Sequence, residues 1–317
     1  MAATNGSATT NGGASSHRRY LYLAGIGVTH SIGYAMHNHI IQSLGLPFEF
    51  KNVECPSIED LMALFRAPSF AGGVVTMPYK QAVMRHLDGL DDLALTLGAC
   101  NNVYLTADGK LRGTNTDWRG IKGCLLNASP EGRGKPAVII GAGGASRAAV
   151  YALSTELGCK TIYMINRDEA EVAALLADAQ AHADNGQPGP HLIHIKSVAQ
   201  TSGLPKPYYI VGTVPDFEPS TPQELEARAI LESLLSTRDG EDKGVLLDMC
   251  FKPRNTRILK LGKRHGWRTV EGTGVIGHQV EEQWRLWAGQ EASGNVPVEE
   301  AWEVLRKKAE ESTAINF

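Results

Sequence analysis

Val138-Ile139-Ile140-Gly141-Ala142-Gly143-Gly144-Ala145-Ser146-Arg147-Ala148-Ala149 is the stretch whose reading decides the fold. Val138, Ile139 and Ile140 are consecutive β-branched residues, as a strand covered on both faces requires. Gly141 permits a tight turn, Gly143 lets a phosphate approach the backbone, and the small Ser146 stands where a helix packs closely on a strand. The helix that starts here aims its unpaired N–H groups and the positive end of its dipole at the turn, a setting for a pyrophosphate. The spacing is G-x-G-x-x-S, not the full G-x-G-x-x-G. By itself the stretch reads either as a dinucleotide-binding turn or as an ordinary glycine-rich link between strand and helix.

Working downstream, strands are expected over residues 137–140, 161–165, 191–194, 208–211, 244–247 and 269–270, with helical segments between them. Such alternation predicts a parallel, doubly wound sheet. A polar loop is expected over 183–190. From Gly277 the chain is helical, with Val280, Trp284 and Trp287 at helical spacing, then Pro297 and a last helix over 298–310.

Working upstream, strands are expected over 20–27, 48–53 and 73–77, and a helix over 35–44. A second helix is capped by Ser57 and runs to Phe65, and a helical stretch begins near Lys80. Residues 101–105 and 111–115 read as a hairpin about Asp108-Gly109. A helix over 118–126 leads into the polar, glycine-rich 129–134, where a domain boundary is expected. The fold class is therefore α/β. Residues 1–19 form a disordered tail, with too few arginines for a transit peptide. Residues 20–128 are expected to form an α/β domain, the candidate substrate-binding and catalytic domain, 129–276 a Rossmann-type dinucleotide-binding domain, and 277–317 helices that cross back onto the first domain.

The 317 residues suffice for two domains, and a formal net charge of −3 offers no electrostatic case for nucleic acid or an anionic membrane. Cys55, Cys100, Cys124, Cys159 and Cys250 are scattered without a C-x-x-C pair, which predicts reduced thiols and a cytoplasmic protein. The ten histidines include no H-x-x-x-H, and no metal site is expected. No apolar run reaches the length of a membrane span, and the N-terminus lacks the apolar core of a secretory signal.

Two stretches carry chemistry. Val74-Val75-Thr76-Met77-Pro78-Tyr79-Lys80 puts a lysine just past a strand end, and Asn115-Thr116-Asp117 puts a carboxylate at the end of a hairpin arm. Strand ends facing an inter-domain crevice are where ligands sit in α/β proteins. A Lys–Asp pair can manage the proton of an alcohol while a nicotinamide takes the hydride, provided the lysine is desolvated enough. For an arbitrary lysine and aspartate, a surface ion pair is the simpler reading.

From Tyr20 to Gly289 the chain resembles the shikimate/quinate dehydrogenase family. The resemblance rests on five segments in family order: His30-Ser31-Ile32-Gly33 with His37-Asn38; Val75-Thr76-Met77-Pro78-Tyr79-Lys80; Gly98-Ala99-Cys100-Asn101; Gly113-Thr114-Asn115-Thr116-Asp117 with Gly120; and Gly272-Thr273-Gly274-Val275-Ile276-Gly277-His278-Gln279 with Trp287 and Gly289. Gly141–Ala145 and Asn166-Arg167 add to it. The resemblance implies that Lys80 and Asp117 are the catalytic pair, with Lys80 as general base on the hydroxyl being oxidised and Asp117 holding that hydroxyl and orienting the lysine. It implies further that Ser31, Thr76, Asn101 and Gln279 bind the hydroxyls and carboxylate of a cyclic polyol acid, quinate or shikimate. On the cofactor side it implies Gly141, Ala142, Gly143, Gly144, Ala145, Asn166, Arg167, Asp168, Thr213, Met249 and Gly272. The protein is expected to be a monomer or homodimer.

Departures from the family pattern narrow the substrate and cofactor. Shikimate enzymes usually carry Ser-x-Ser where this chain has Ser31-Ile32-Gly33; losing a hydroxyl that bonds a carboxylate costs roughly 1.5–3 kcal/mol. Quinate bears a tetrahedral hydroxyl at the carboxylate-bearing carbon, so Gly33 tilts the site to quinate; alternatively the glycine serves only the turn. Phe251 replaces a tyrosine near the substrate, Tyr79 a histidine, and Gly212-Thr213 the usual Asn-Ala-Thr. After the second strand of the dinucleotide domain, Asp168 and Glu171 stand where NADP-using relatives carry threonine and arginine. A carboxylate accepts hydrogen bonds from ribose hydroxyls but repels a phosphate by about 1–4 kcal/mol per charge pair at ~4 Å. Arg167 remains, placed to stack on the adenine. NAD is expected over NADP. Three readings stay open: an NAD-dependent quinate dehydrogenase with some activity on shikimate, a shikimate dehydrogenase, and a ligand sensor of the same fold without turnover.

Overall fold

A computed structural model describes residues 18–183, 189–236 and 243–317. Residues 1–17 of the expected tail and 184–188 of the expected polar loop lie outside the described residues.

The first unit is built from β1 (Arg19–Gly25), α1 (Gly33–Ser43), β2 (Phe48–Glu54), α2 (Ile58–Phe65), β3 (Phe70–Val75), β4 (Gly89–Leu90), α3 (Asp92–Leu97), β5 (Asn102–Leu105), β6 (Leu111–Thr114) and α4 (Asp117–Ala128). Arg19, expected to end the tail, opens β1. The sheet order is β2-β1-β3-β5-β6-β4, with β5 antiparallel to both of its neighbours. Local chemistry explains several boundaries. The Ser57 hydroxyl accepts from the Asp60 N–H at 3.1 Å, while the Asp60 carboxylate takes the Ser57 N–H at 3.2 Å, a reciprocal cap on α2. The helix expected from Lys80 is instead a 3-10 turn, Ala82–His86. The chain there is drawn into edge strand β4, where the Asp88 N–H donates to Leu111 O and the Asp91 N–H to Gly113 O, each at 3.0 Å. Tertiary pairing wins over helical propensity in this segment.

The second unit runs β7 (Ala137–Ile140), α5 (Gly144–Tyr151), β8 (Thr161–Ile165), α6 (Glu169–Ala183), β9 (His191–His194), β10 (Tyr209–Gly212), α7 (Pro222–Leu235), β11 (Val245–Asp248), α8 (Arg257–Arg264) and β12 (Arg268–Glu271). Its sheet is wholly parallel, in the order β12-β11-β10-β7-β8-β9, the doubly wound arrangement. All four residues of β7 are buried, as the apolar run required. Ala137 and Ile139 face one core, which also takes Val211 and Leu247; Val138 and Ile140 face the other, with Ile210 and Leu246. The strand period of two divides each strand between the layers.

Three C-terminal helices follow: α9 (Thr273–Gly277), α10 (Val280–Ser293) and α11 (Val298–Glu311). Trp284, Trp287, Ala301 and Leu305 share one core with Leu21, Ile32, Met36 and Ile40, so these helices close over the first unit. The buried leucines, isoleucines and methionine among them contribute about 1.5–3 kcal/mol each. In the other direction, α4 places Trp118, Ile121, Cys124 and Leu125 in the core beneath β7 and α5. The helix that carries Asp117 is thus seated on the dinucleotide-type sheet. Among the described residues no helix is long and apolar enough to cross a membrane.

Candidate active site

In a doubly wound sheet the ligand crevice opens where the strand order reverses, at the C-terminal ends of β7 and β10. Gly141 follows β7 with φ +118°, a conformation that side chains rarely tolerate. A Cβ on Gly141 would also lie 2.3 Å from Thr213 Oγ1. Thr213 Oγ1 donates to Ile140 O at 2.8 Å and lies 2.7 Å from Ser146 Oγ, so the hydroxyl pair ties the turn to β10. Gly143 precedes the first turn of α5, and a Cβ added there would meet nothing within 4 Å. The approach to the helix N-terminus is open at Gly143, as a phosphate needs. Ala142 is buried in the core beneath the turn, and Ala145 lies in the first turn of α5.

Lys80 and Asp117, separated by 37 residues in the chain, meet with Nζ 2.5 Å from Oδ2. The side chains are only 15% and 6% exposed, so the pair is no surface ion pair. Its scaffold is made of backbone and amide bonds. The Lys80 carbonyl accepts from the Cys100 N–H at 2.7 Å. The Asp117 N–H donates to Asn115 Oδ1 at 3.0 Å, while Asn115 Nδ2 donates to Ala99 O at 3.0 Å.

Asn101 and Gln279, 178 residues apart, are joined directly: Asn101 Nδ2 donates to Gln279 Oε1 at 2.9 Å. The Thr116 hydroxyl donates to the same Gln279 oxygen at 2.6 Å, the Thr116 N–H donates to Asn101 Oδ1 at 2.6 Å, and Gln279 Nε2 donates to Val275 O at 3.0 Å. Thr76 hangs just past β3, its N–H on Ala24 O at 3.0 Å. Ser31 is buried at the entry to α1, and Asn52 Nδ2 donates to its carbonyl at 2.8 Å. Gly33 faces α9: a Cβ added there would lie 3.3 Å from Ile276 Cγ2. The space beside Gly33 is therefore already bounded, a packing reason for glycine that the sequence does not reveal. Phe251 reaches across from the end of β11, its ring 5.4 Å from that of His30.

The residues expected at the adenosine end lie past β8. Asp168 Oδ1 accepts from the Ala170 and Glu171 N–H groups at 2.8 and 3.2 Å, which caps α6. Asn166 Nδ2 donates to Glu171 Oε2 at 2.9 Å. Arg167, expected against an adenine, lies over the Phe217 ring with its guanidinium carbon 5.2 Å from the centroid, and it pairs with Glu224. Met249 continues from β11 with its N–H on Gly212 O at 2.8 Å, and its carbonyl stands 2.4 Å from where a Cβ on Gly272 would be.

The family profile described as the shikimate dehydrogenase substrate binding domain matches residues 23–103. A quinate dehydrogenase of Emericella nidulans is 36% identical over 290 residues, covering 85% of this chain and 88% of that protein. The chain belongs to the shikimate/quinate dehydrogenase family. The pentafunctional AROM polypeptide of Eremothecium gossypii is 36% identical over 283 residues, 86% of this chain, although the match spans only 17% of that polypeptide. Among solved structures, a shikimate 5-dehydrogenase from Listeria monocytogenes in complex with shikimate and NAD is 26% identical with a TM-score of 0.72, over 92% of this chain and 97% of that one.

Several family departures now have physical causes. Tyr79 points away from the crevice and donates its hydroxyl to Cys55 O at 2.9 Å in the first unit's core. Gly212 has no room for a side chain, since a Cβ would lie 2.7 Å from Asp248 Oδ1. Burial pushes the Asp248 carboxyl up to about 7, against the hydrogen bond it accepts from Thr256 Oγ1 at 2.6 Å. Sequence reasoning missed Asp248, Thr116, Asn115, Glu54 and Glu224 as supports of the site. Glu54 accepts the N–H groups of Gly27, Val28 and Thr29 at 2.7, 2.6 and 3.1 Å and so shapes the loop that carries Ser31. Desolvation works to raise the Glu54 carboxyl, and the three amides outweigh it and hold it below its ordinary value. Asn115 and Thr116 lie within a quoted motif and could have been found there; for Glu54 and Glu224 the sequence carries no local signal.

Proposed function

We propose that this family member is an NAD-dependent quinate dehydrogenase, which reversibly oxidises quinate to 3-dehydroquinate and retains some activity on shikimate. The observation that carries the reading is the buried Lys80–Asp117 pair set against the glycine turn of a doubly wound sheet. The open face at Gly143, at the N-terminus of α5, fits a pyrophosphate, so Gly141–Ala145 would hold the dinucleotide, with Thr213, Met249 and Gly272 flanking its nicotinamide end. A bound nicotinamide would supply the acceptor for the hydride of the carbinol carbon. Lys80 Nζ takes the hydroxyl proton as the C=O bond forms, and returns it in the reverse direction. Asp117 would hold the Lys80 nitrogen against that hydroxyl and balance the ammonium that forms. Ser31, Thr76, Asn101 and Gln279 bind the remaining hydroxyls and the carboxylate, since each polar ligand group needs a partner once buried.

Quinate is favoured because Gly33 offers no hydroxyl to the carboxylate, and because the Emericella relative is named a quinate dehydrogenase. A shikimate dehydrogenase is the second reading, supported by the Listeria relative, whose structure holds shikimate and NAD. NAD is favoured because Asp168 and Glu171 follow β8. Cys55, Cys100, Cys124, Cys159 and Cys250 are free, which suits a reducing compartment such as the cytoplasm. Steady-state assays with quinate and shikimate against NAD and NADP give four kcat/KM values. Quinate with NAD should be highest; a higher value for shikimate overturns the substrate assignment, and a higher value for NADP overturns the cofactor assignment.

A further inference from the structure

Arg167 and Asp168 stand side by side past β8, where a doubly wound dinucleotide fold meets the adenosine ribose. A carboxylate there binds the 2′-hydroxyl of NAD, and an arginine there accommodates the 2′-phosphate of NADP. The local sequence therefore supplies groups for both cofactors. What separates them comes from α7, 57 residues further along the chain.

Glu224 is the third residue of α7 and belongs to its cap. Its Oε2 accepts from the Ser220 N–H at 2.9 Å, the Thr221 N–H at 3.1 Å and the Ser220 hydroxyl at 3.2 Å, while the Glu224 N–H donates to Thr221 Oγ1 at 3.3 Å. With Oε2 held in this way, Oε1 is left to accept from Arg167 Nη1. The Glu224 side chain is 9% exposed and that of Arg167 53%, so the carboxylate is built into the fold and the guanidinium reaches to it. The Ser220 and Thr221 amides, together with Arg167, hold the Glu224 carboxyl down to about 2, which keeps it charged at neutral pH. Arg167, Asp168, Thr221 and Glu224 line one depression. Lys196 pairs with Glu169, which lines the same depression but is largely exposed.

We infer that Glu224 is a specificity-determining residue of the dinucleotide site: it engages Arg167 and cancels its charge, so that a 2′-phosphate would meet a guanidinium already neutralised by a fixed carboxylate. The inference rests on the NAD reading above and names the residue that enforces it. A ribose with a free 2′-hydroxyl needs no cation and loses nothing by the pairing.

The test uses the full-length protein with adenosine 2′,5′-bisphosphate and 5′-AMP as calorimetric probes, and NAD and NADP in turnover. Glu224→Gln keeps a helix-capping side chain of the same size. It should tighten binding of the bisphosphate by about tenfold, as a freed arginine gains a charge-assisted bond. The Kd of 5′-AMP should move by less than about twofold and the NADP:NAD ratio of kcat/KM should rise in parallel. Adding Arg167→Gln to that variant should erase the gain. Arg167→Gln alone, which leaves the α7 cap intact, should weaken bisphosphate binding by less than about threefold, because the guanidinium is already engaged. No gain in Glu224→Gln, a gain that survives loss of Arg167, or a tenfold loss in Arg167→Gln alone would each overturn the role of Glu224. A wild-type preference for NADP would instead overturn the NAD reading on which it rests.

Discussion

Gly144 in the glycine turn lies directly against Lys80 of the other unit: a Cβ placed on Gly144 would sit 3.0 Å from the Lys80 Cβ and 3.5 Å from its Cδ. The same position is 3.7 Å from the Ala99 Cβ. A side chain at Gly144 would therefore crowd the stem of the lysine. The contact brings the glycine turn up against the proposed base.

Gly144→Ala should expose that dependence. The added methyl must push the Lys80 stem or part the two units by a few tenths of an ångström, and misplacement of a catalytic group by about 1 Å can cost 10²-fold. We expect kcat to fall by roughly 10- to 100-fold, with a shifted pH profile and little change in thermal midpoint. Unchanged kcat in a folded variant would show that the contact is packing alone.

Lys80→Ala removes the proposed base while leaving the Asn101–Thr116–Gln279 cluster in place. Turnover should drop by about 10²–10⁴-fold, and quinate binding should remain measurable by calorimetry. Near-normal turnover would remove Lys80 from the mechanism and reopen the reading of the fold as a sensor.

Gly33→Ser tests substrate choice. The new Cβ would stand 3.3 Å from Ile276 Cγ2, close enough that the isoleucine must give slightly. The added hydroxyl should move the shikimate:quinate ratio of kcat/KM towards shikimate by about tenfold. Combining it with Ile276→Val separates the hydroxyl from the crowding. If neither variant alters the ratio, Gly33 serves only its contact with Ile276.

His37 makes acid sensitivity predictable. Its ring is fully buried and stacks 4.3 Å from Phe50, and desolvation lowers its pKa from 6.5 to about 3. The unfolded chain therefore takes up a proton below pH 6.5 that the folded protein refuses, so stability falls as pH drops through the window from 6.5 towards 3. From pH 7 to pH 5 the loss due to His37 is about 2 kcal/mol. Asp248 acts in the opposite sense: burial raises its carboxyl from 3.8 to about 7, so its contribution is full below 3.8 and lost as pH rises through 7. Urea unfolding of wild type and His37→Leu at both pH values isolates the histidine. Equal pH dependence in the two proteins would rule out this account.

The legible parts of the fold were those encoded within a few residues. The Ser57–Asp60 cap, the hairpin arms about Asp108-Gly109 and the buried run at Val138–Ile140 each carry their own signal, because capping, turn geometry and apolar runs act over one or two turns of chain. The segment after Lys80 misled for the same reason. Its local pattern is helical, and the pairing of β4 with β6 that overrides it is not local.

By itself the sequence determined the strand–glycine–helix unit, the alternation that makes the second sheet parallel and, through family resemblance, the residues to examine. Tertiary structure alone decided that Asn101 bonds Gln279, that Glu54 gathers the amides of the Ser31 loop, that Arg167 is claimed by Glu224, and that Lys80 rests on Gly144. These partners stand far apart in the chain and have no periodic or capping signature. Their meeting follows from how two sheets, the seated helix α4 and the returning helix α10 pack around one crevice, and burial then demands that each polar group find a partner there.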